Sequence, residues 1–522
     1  MKNVFGLALT VITLSFSEQV IAQSFVDNAL LFSRTNPAGS ARIQSLGGAQ
    51  TSLGGDYSSA LSNPAGLGMF NKSEFTFSPG LNFYNTSSSY LETSQKDSKT
   101  VFNIPGLSFV LHQPQEKASG FLGGSFGISM TRTNDFNNVF RYRGENSYTS
   151  IIDYFIEDAE GFSIDPRPGV PTLNYDFPTG LAYDNYLIQD SAFLKPSPIS
   201  GDYIEYFSVL GTYPDVPGDF RTVTRSENAV TKGAQYQWSI AYGGNFSDRF
   251  FFGASLGITT LRYKYQRIYT ESEFFFELDP AYNPLNSLEL EENIDIKGSG
   301  VNLTVGLIGR PVDFIQVGIS YVTPTYYQIT DNYTAAVRTK WNNFDYYGIE
   351  TLNNIAYESS EPIISEYALS TPMKFSTGIT FFIGKQGFIT GDVEFVNYAK
   401  AKYDSQTPGE SFDPENTDIR TLYKNVINYR LGAEYRYDIF RFRAGYNFQA
   451  NPYVDTIDID KSIQTFSAGA GIRLNQFYVD LTLQQSKWEN VYSPYVFKNG
   501  DAPLVKLENK IFSSMMTVGF TF

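Results

Sequence analysis

The chain has 522 residues, a net charge of −15, no cysteine and a single histidine. The acidic balance argues against a nucleic-acid partner, which would need a basic face, and without cysteine there is no disulfide framework. Charged residues make up 18% and aromatics 16%, spread along the whole length, with a mean hydropathy of −0.23. That is too polar for a bundle of membrane helices and too poor in charge for a string of soluble domains. A transmembrane β-barrel, with one face of each strand in lipid and the other in a polar lumen, has both properties.

In chain order, residues 1–22 read as a signal peptide. Lys2 supplies the positive start, Val4 to Phe16 an apolar core too short to span, and Val20-Ile21-Ala22 the cleavage positions before Gln23. Residues 23–72 form a small, glycine-rich, turn-forming stretch without strand alternation, read as a compact plug. It runs through Asn36-Pro37-Ala38-Gly39-Ser40 and closes on Asn63-Pro64-Ala65-Gly66-Leu67.

Residues 73–522 then show period-2 alternation again and again, one face apolar and the other small or polar. The last segment is the clearest, with Phe512, Ser514, Met516, Val518, Phe520 and Phe522 on one face. It resembles the C-terminal recognition strand of outer-membrane barrels. About fourteen such segments are predicted, an antiparallel wall of even strand number. They lie near 73–84, 101–112, 120–136, 233–246, 249–267, 297–310, 313–328, 370–383, 387–402, 424–437, 439–449, 461–474, 476–490 and 508–522. The connections alternate between short turns and long loops, as periplasmic turns and extracellular loops do. The longest loops are read at 137–232, 268–296 and 329–369, with others near 85–100 and 403–423. Strands about 4.8 Å apart and tilted about 40° give a barrel roughly 28 Å across, too wide for wall side chains to fill. The plug is the stopper such a lumen needs.

Three sets of residues are candidates for chemistry. Arg430, Arg436, Arg441 and Arg443 fall on the predicted lumen face with Glu434; they could receive a ligand carboxylate or form an internal ion-pair network. The stretch from Glu271 to Asp295 is rich in carboxylates but lacks the Asp-x-Asp-x-Asp-Gly spacing of a calcium loop, so no metal is assigned. Its Phe274, Phe275 and Phe276, with Ile152 and Phe155 of a short amphipathic helix between Ser147 and Glu160, are read as an apolar capture surface at the barrel mouth. No catalytic residue and no cofactor are assigned. His112, the only histidine, lies at a predicted periplasmic strand end, and no Walker loop or dinucleotide fingerprint stands in a credible context.

The plug sequence resembles the hatch of the FadL family, outer-membrane transporters of long-chain fatty acids and aromatic hydrocarbons. The resemblance rests on Gly39-Ser40-Ala41-Arg42, Leu46-Gly47-Gly48-Ala49, Asp56 and Ser62-Asn63-Pro64-Ala65-Gly66-Leu67. It continues in Ile104-Pro105-Gly106-Leu107-Ser108, Thr133-Asn134-Asp135-Phe136 and Gly318-Ile319-Ser320-Tyr321-Val322-Thr323-Pro324. It implies that Asn63, Pro64, Ala65 and Gly66 are the hatch motif beside an inward kink of the third strand, where a lateral opening to the bilayer forms. Gly123 and Gly124 are the expected kink, since glycines within a strand mark bulges. The implied function is passive uptake of hydrophobic small molecules, from loop capture through the lumen to lateral release into outer-membrane lipid. The alternative is a barrel that binds a protein partner through its extracellular loops, in protein secretion or surface-protein anchoring.

Overall fold

The computed structural model describes residues 19–117, 119–146, 149–166, 170–190, 204–210, 221–276, 282–454 and 460–522. The expected leader residues Lys2 and Val4 to Phe16, and the loop carboxylates Glu277 and Asp279, lie outside them. The plug region holds α1 (Gln19–Ser33), α2 (Ala41–Ser45), α3 (Ser59–Ser62) and a 3-10 turn (Pro64–Met69). The first strands are β1 (Glu74–Tyr90), β2 (Thr93–Pro114), β3 (Phe121–Asp135) and β4 (Asn138–Asn146). An excursion follows through α4 (Ile151–Ala159), α5 (Pro178–Asp184), β5 (Gln189–Asp190) and β6 (Tyr206–Phe207). The wall continues as β7 (Arg221–Phe246), β8 (Phe250–Phe276), β9 (Leu285–Val312), β10 (Ile315–Val322), β11 (Tyr326–Tyr346), β12 (Glu350–Glu358), β13 (Ile363–Ser370) and β14 (Lys374–Ile383). It ends with β15 (Gly387–Asn397), β16 (Lys402–Ser405), α6 (Asp413–Leu422), β17 (Asn425–Tyr437), β18 (Phe440–Gln449), β19 (Ile463–Arg473), β20 (Phe477–Tyr492) and β21 (Val505–Thr521).

Nineteen of these strands form one antiparallel sheet, which closes because β1 pairs with both β2 and β21. Four paths are interrupted, β3–β4, β10–β11, β12–β13–β14 and β15–β16, so the wall has 14 strands. The alternation sets the register as the sequence predicts. On β8, Phe250, Phe252, Leu256 and Ile258 face outward while Phe251, Ser255 and Thr259 are buried. On β21, Phe512, Met516 and Phe520 face outward and Met515 and Thr517 inward. Among the described residues no helix is long and apolar enough to cross a membrane.

Three expected loops are largely strand. The β1–β2 hairpin turns only at Leu91-Glu92, β8 runs to Phe276 before β9 starts at Leu285, and β11 and β12 are separated by Tyr347-Gly348-Ile349. Beyond the lipid band the outward positions become Ser, Lys, Gln and Asn, so the apolar alternation that marks a strand in lipid fades while the ladder continues. These hairpins enclose an extracellular core. In it α4, α5, Tyr495 and Phe497 pack on Leu285, Leu288, Val337 and Trp341.

Candidate functional site

The plug sits against the wall through glycines. A side chain at Gly253 would run into the Pro64 carbonyl and the Ala65 nitrogen, one at Gly306 into Asn63, and one at Gly318 into the backbone of Thr51. The predicted small face of these strands is therefore where the hatch backbone touches the wall. Asn63 is extended, as the residue before a proline tends to be. Its side chain accepts from Ala65 N at 3.2 Å and donates to the Thr51 carbonyl at 2.6 Å, so it ties the 3-10 turn to the preceding plug segment. On the wall's outer face, opposite this contact, Tyr242, Phe252, Val305, Leu307 and Tyr321 border an apolar groove of about 440 Å3.

Sequence reasoning did not single out the strongest wall-to-plug anchor, Asp392 of β15. Its Oδ2 accepts from Gln50 N at 2.7 Å, Thr51 N at 2.8 Å and Thr51 Oγ1 at 2.8 Å. A buried carboxylate on a lumen position of a membrane strand was the available signal. Further round, Ala41 N donates to Thr517 Oγ1 at 2.8 Å and Gln484 Nε2 to the Gln44 carbonyl at 3.0 Å.

Three of the four candidate arginines are held by wall carboxylates. Arg443 bridges Glu434 and Asp480, each at 2.6 Å, Arg436 meets Glu434 at 2.7 Å, and Arg430 meets Glu394 at 2.8 Å. Arg42 of the plug comes within 3.8 Å of Glu434 and 4.0 Å of Asp56. Arg441 donates to the carbonyls of Asp438 and Phe440 at the turn. Of the two readings open for these arginines, the internal ion-pair network is the one present at Arg436 and Arg443, and Arg441 braces the turn. Only Arg430 borders the lumen cavity.

Gly123 and Gly124 do not open the wall. β2 pairs with β3 through Gln113↔Gly124 and Pro114↔Gly123, and a bulge at Leu122 leaves β3 paired with β7 from Gly123 onward. The parting lies further along the same strand. The β2–β3 ladder stops at Gly106↔Thr131, and among the described residues β2 has no ladder partner on that side from Thr93 to Pro105. There β3 bulges against β7 between Arg132 and Asn134. The plug holds this kink: Asn36 N donates to the Thr133 carbonyl at 3.0 Å, and Asn134 Nδ2 donates to the carbonyls of Leu31 and Arg34 at 2.9 and 2.8 Å. β4 then pairs only with β7, and Asp97 of β2 accepts from its Arg141 N at 2.8 Å and Nε at 2.7 Å. The residues at the kink belong to the Thr133–Phe136 motif, whose resemblance was noted without a structural role.

Behind the kink is a cavity of about 110 Å3 lined by Phe32, Asn36, Thr133, Gln235, Asn302 and Arg430, among others. Among the described residues Gln235 Oε1, Asn302 Oδ1 and Arg430 Nε have no hydrogen-bond partner. Above it α1 fills an apolar pocket, with Phe25 edge-on to Tyr367, Tyr403 and Phe412 at centroid distances of 5.1, 5.6 and 5.2 Å.

The expected capture surface is mostly interior. Ile152, Phe155, Phe274 and Phe276 are buried in the extracellular core, and only Phe275, 46% exposed, faces out. On β8 the inward and outward positions alternate, so a Phe triplet cannot all lie on one surface. The acidic stretch is neutralised: Glu271 pairs with Arg225 at 3.0 Å, Glu289 and Glu291 with Arg338 at 2.9 and 3.0 Å, Glu292 with Arg267, and Asp295 with Lys264 at 2.7 Å. No cluster of metal-ligating residues occurs among the described residues. Glu271 also accepts from Ile151 N at 3.0 Å and so caps α4. Replacing Arg225 with Met leaves that carboxylate buried and unpaired, and is expected to destabilise the extracellular core by about 3–5 kcal/mol. Chemical denaturation followed by Trp fluorescence measures it, since Trp341 lies in that core.

His112 Nδ1 lies 3.1 Å from Ser125 Oγ, but Ser125 is fully buried and no carboxylate orients the imidazole among the described residues. A serine nucleophile needs both access and an oriented base.

No family model matches the chain, and no curated protein sequence does. Solved structures do. A crystal structure of a Pseudomonas aeruginosa FadL homologue superposes with a TM-score of 0.53 over 94% of this chain and 99% of that one, at 11% identity. The fold is the FadL-type plugged barrel. The P. putida toluene transporter TodX gives a TM-score of 0.51 over 93% of this chain and 99% of that one, at 10% identity. A closed, even-stranded barrel with an outward apolar band is the architecture of the Gram-negative outer membrane, and that is where the protein resides.

Proposed function

We propose that the protein is a passive transporter of hydrophobic small molecules, not an enzyme. The observation that carries this reading is the unpaired edge of β2 beside the β3 kink, because it gives a closed barrel a side door at membrane depth. Phe102 and Ile104 face outward along that edge and make its sill apolar. Thr133 belongs both to the kink and to the cavity lining, so the route from the cavity to lipid is short. An apolar solute gains nothing from a water-filled pore, whereas a side exit delivers it directly into hydrocarbon.

The cavity favours a ligand with one polar end. Gln235 Oε1 and Asn302 Oδ1 can accept from a hydroxyl or a protonated carboxyl, Arg430 Nε can donate to a carboxylate or hydroxyl oxygen, and the aromatic pocket above, which Phe25 of α1 occupies, would take a hydrocarbon tail once α1 is displaced. Long-chain fatty acids have that form; toluene, which TodX transports, lacks the polar end. Native mass spectrometry of the barrel purified in mild detergent tests this. Bound amphipathic acids or alcohols are expected, with occupancy reduced about tenfold in a Gln235→Leu/Asn302→Leu variant, a loss of one or two hydrogen bonds. An empty barrel that instead co-purifies with a protein would favour the role in secretion or surface anchoring.

A further inference from the structure

Outside the lumen, the lipid-facing surface of β7, β8 and β9 changes character abruptly. Toward the extracellular side its apolar residues end at Trp238, Ile258 and Val301, followed by the hydroxyls of Thr260 and Ser299, which are cross-strand neighbours. The next outward positions on β8 and β9 are cationic, whereas β7 carries Tyr236 and Ala234 before it reaches Lys232. Arg262 lies directly opposite Lys297, and Lys232 directly opposite Lys264. All four side chains are exposed on the outer face of the wall.

Like charges opposite one another destabilise a sheet, and two such pairs stand side by side in a chain whose net charge is −15. Asp295 faces the cluster at 2.7 Å from Lys264 and 4.0 Å from Arg262, and two more acids stand at the ends of the Arg262–Lys297 row, Asp135 opposite Ala234 and Glu366 opposite Thr330. On the far side, Lys297 and Asp295 are flanked by the neutral Thr330 and Asn332 of β11. Asp135 is taken up by Arg132 at 2.7 Å and Glu366 is separated from Lys297 by Thr330, so among the described residues Asp295 alone ion-pairs with the four cations, which leaves a net positive patch just above the apolar band, at the height of lipid headgroups.

We propose that this patch binds a phosphorylated glycolipid of the outer leaflet. A phosphate monoester would sit between Arg262, Lys297, Lys232 and Lys264, relieving both like-charge pairs by charge-assisted hydrogen bonds. The acyl chains would lie on the apolar surface around Trp238, Ile258 and Val301. The site is on the outside of the wall and does not depend on what the lumen carries.

The test titrates the delipidated full-length barrel in detergent with bisphosphorylated lipid A, its dephosphorylated analogue and inorganic phosphate, read by native mass spectrometry. Bisphosphorylated lipid A is expected to bind at least tenfold more tightly than the dephosphorylated form. An Arg262→Gln/Lys297→Gln variant should lose about tenfold in affinity, with heat stability unchanged or raised because a like-charge pair is gone. A Lys506→Gln/Lys510→Gln variant on β21, distant in strand order, should bind as the parent does. Equal binding of the dephosphorylated lipid, or no loss in the Arg262/Lys297 variant, would overturn the proposal. Inorganic phosphate binding as tightly as lipid A would make this a free-anion site and overturn the lipid assignment.

Discussion

Gly253→Val is expected to unseat the plug. The new side chain would meet the Pro64 carbonyl and the Ala65 nitrogen, backbone atoms that no rotamer change can move aside. Because the wall is fixed by ladders to β7 and β9 on both sides, the hatch motif must give way. The strain is at least of the order of an overpacked core, about 3 kcal/mol, and it falls on the plug alone. Limited proteolysis from the periplasmic side should then cut within residues 36–67, which are protected in the parent, while the barrel stays folded on a heat-modifiability gel. Gly309→Ala on β9 is the matched control, since a side chain there meets nothing within 4 Å. Unchanged protection in Gly253→Val would mean that the plug does not bear on the wall there.

The second large effect is expected at Asp392. One carboxylate oxygen takes three hydrogen bonds from Gln50 and Thr51, all buried. Asp392→Ala leaves two plug amides and a hydroxyl without a partner in the interior, a loss of about 3–5 kcal/mol from the plug's seating. The plug should open far more often, seen as discrete conductance events in planar bilayers that the parent lacks, and as faster hydrogen exchange at Gln50 and Thr51. Asp392→Glu is not a rescue, because the longer side chain has to fit where Gly378 already abuts the carboxylate. A silent bilayer trace together with unchanged exchange would show that the plug is held elsewhere.

How much of this was legible in the sequence depends on which side of the wall is considered. Outward-facing positions carry a strong signal: Phe250, Phe252, Leu256 and Ile258 must be apolar because lipid surrounds them, so strand register could be read directly. Inward-facing positions carry a weaker one. Gly253, Gly306 and Gly318 read only as small, and their reason appears once Pro64, Asn63 and Thr51 are placed against them. The kink was expected at the conspicuous glycines 123 and 124, yet it falls at Arg132–Asp135, where plug hydrogen bonds rather than glycine flexibility bend the strand. Contacts between residues 100 apart in sequence leave no local mark. The Phe274–Phe276 triplet misled for a related reason: a run of like residues in a strand is divided between two faces, and the inner two close a core. For the arginines, Glu434, named beside them, does hold Arg436 and Arg443, but their other partners Asp480 and Glu394 come from strands that local sequence does not connect to them.

The side door is the central claim, and it can be locked. The chain has no cysteine, so Ile104→Cys on the free edge of β2 and Arg132→Cys on the kinked β3 would be its only thiols. They can be joined by a reducible bifunctional thiol reagent and released again. Cells depending on this protein for uptake of a radiolabelled long-chain fatty acid should lose that uptake when the bridge is formed and recover it on reduction, while a bridge between Leu107→Cys and Met130→Cys, already paired in the ladder, should change nothing. Undiminished uptake with the Ile104–Arg132 bridge quantitatively formed would contradict release through this gap.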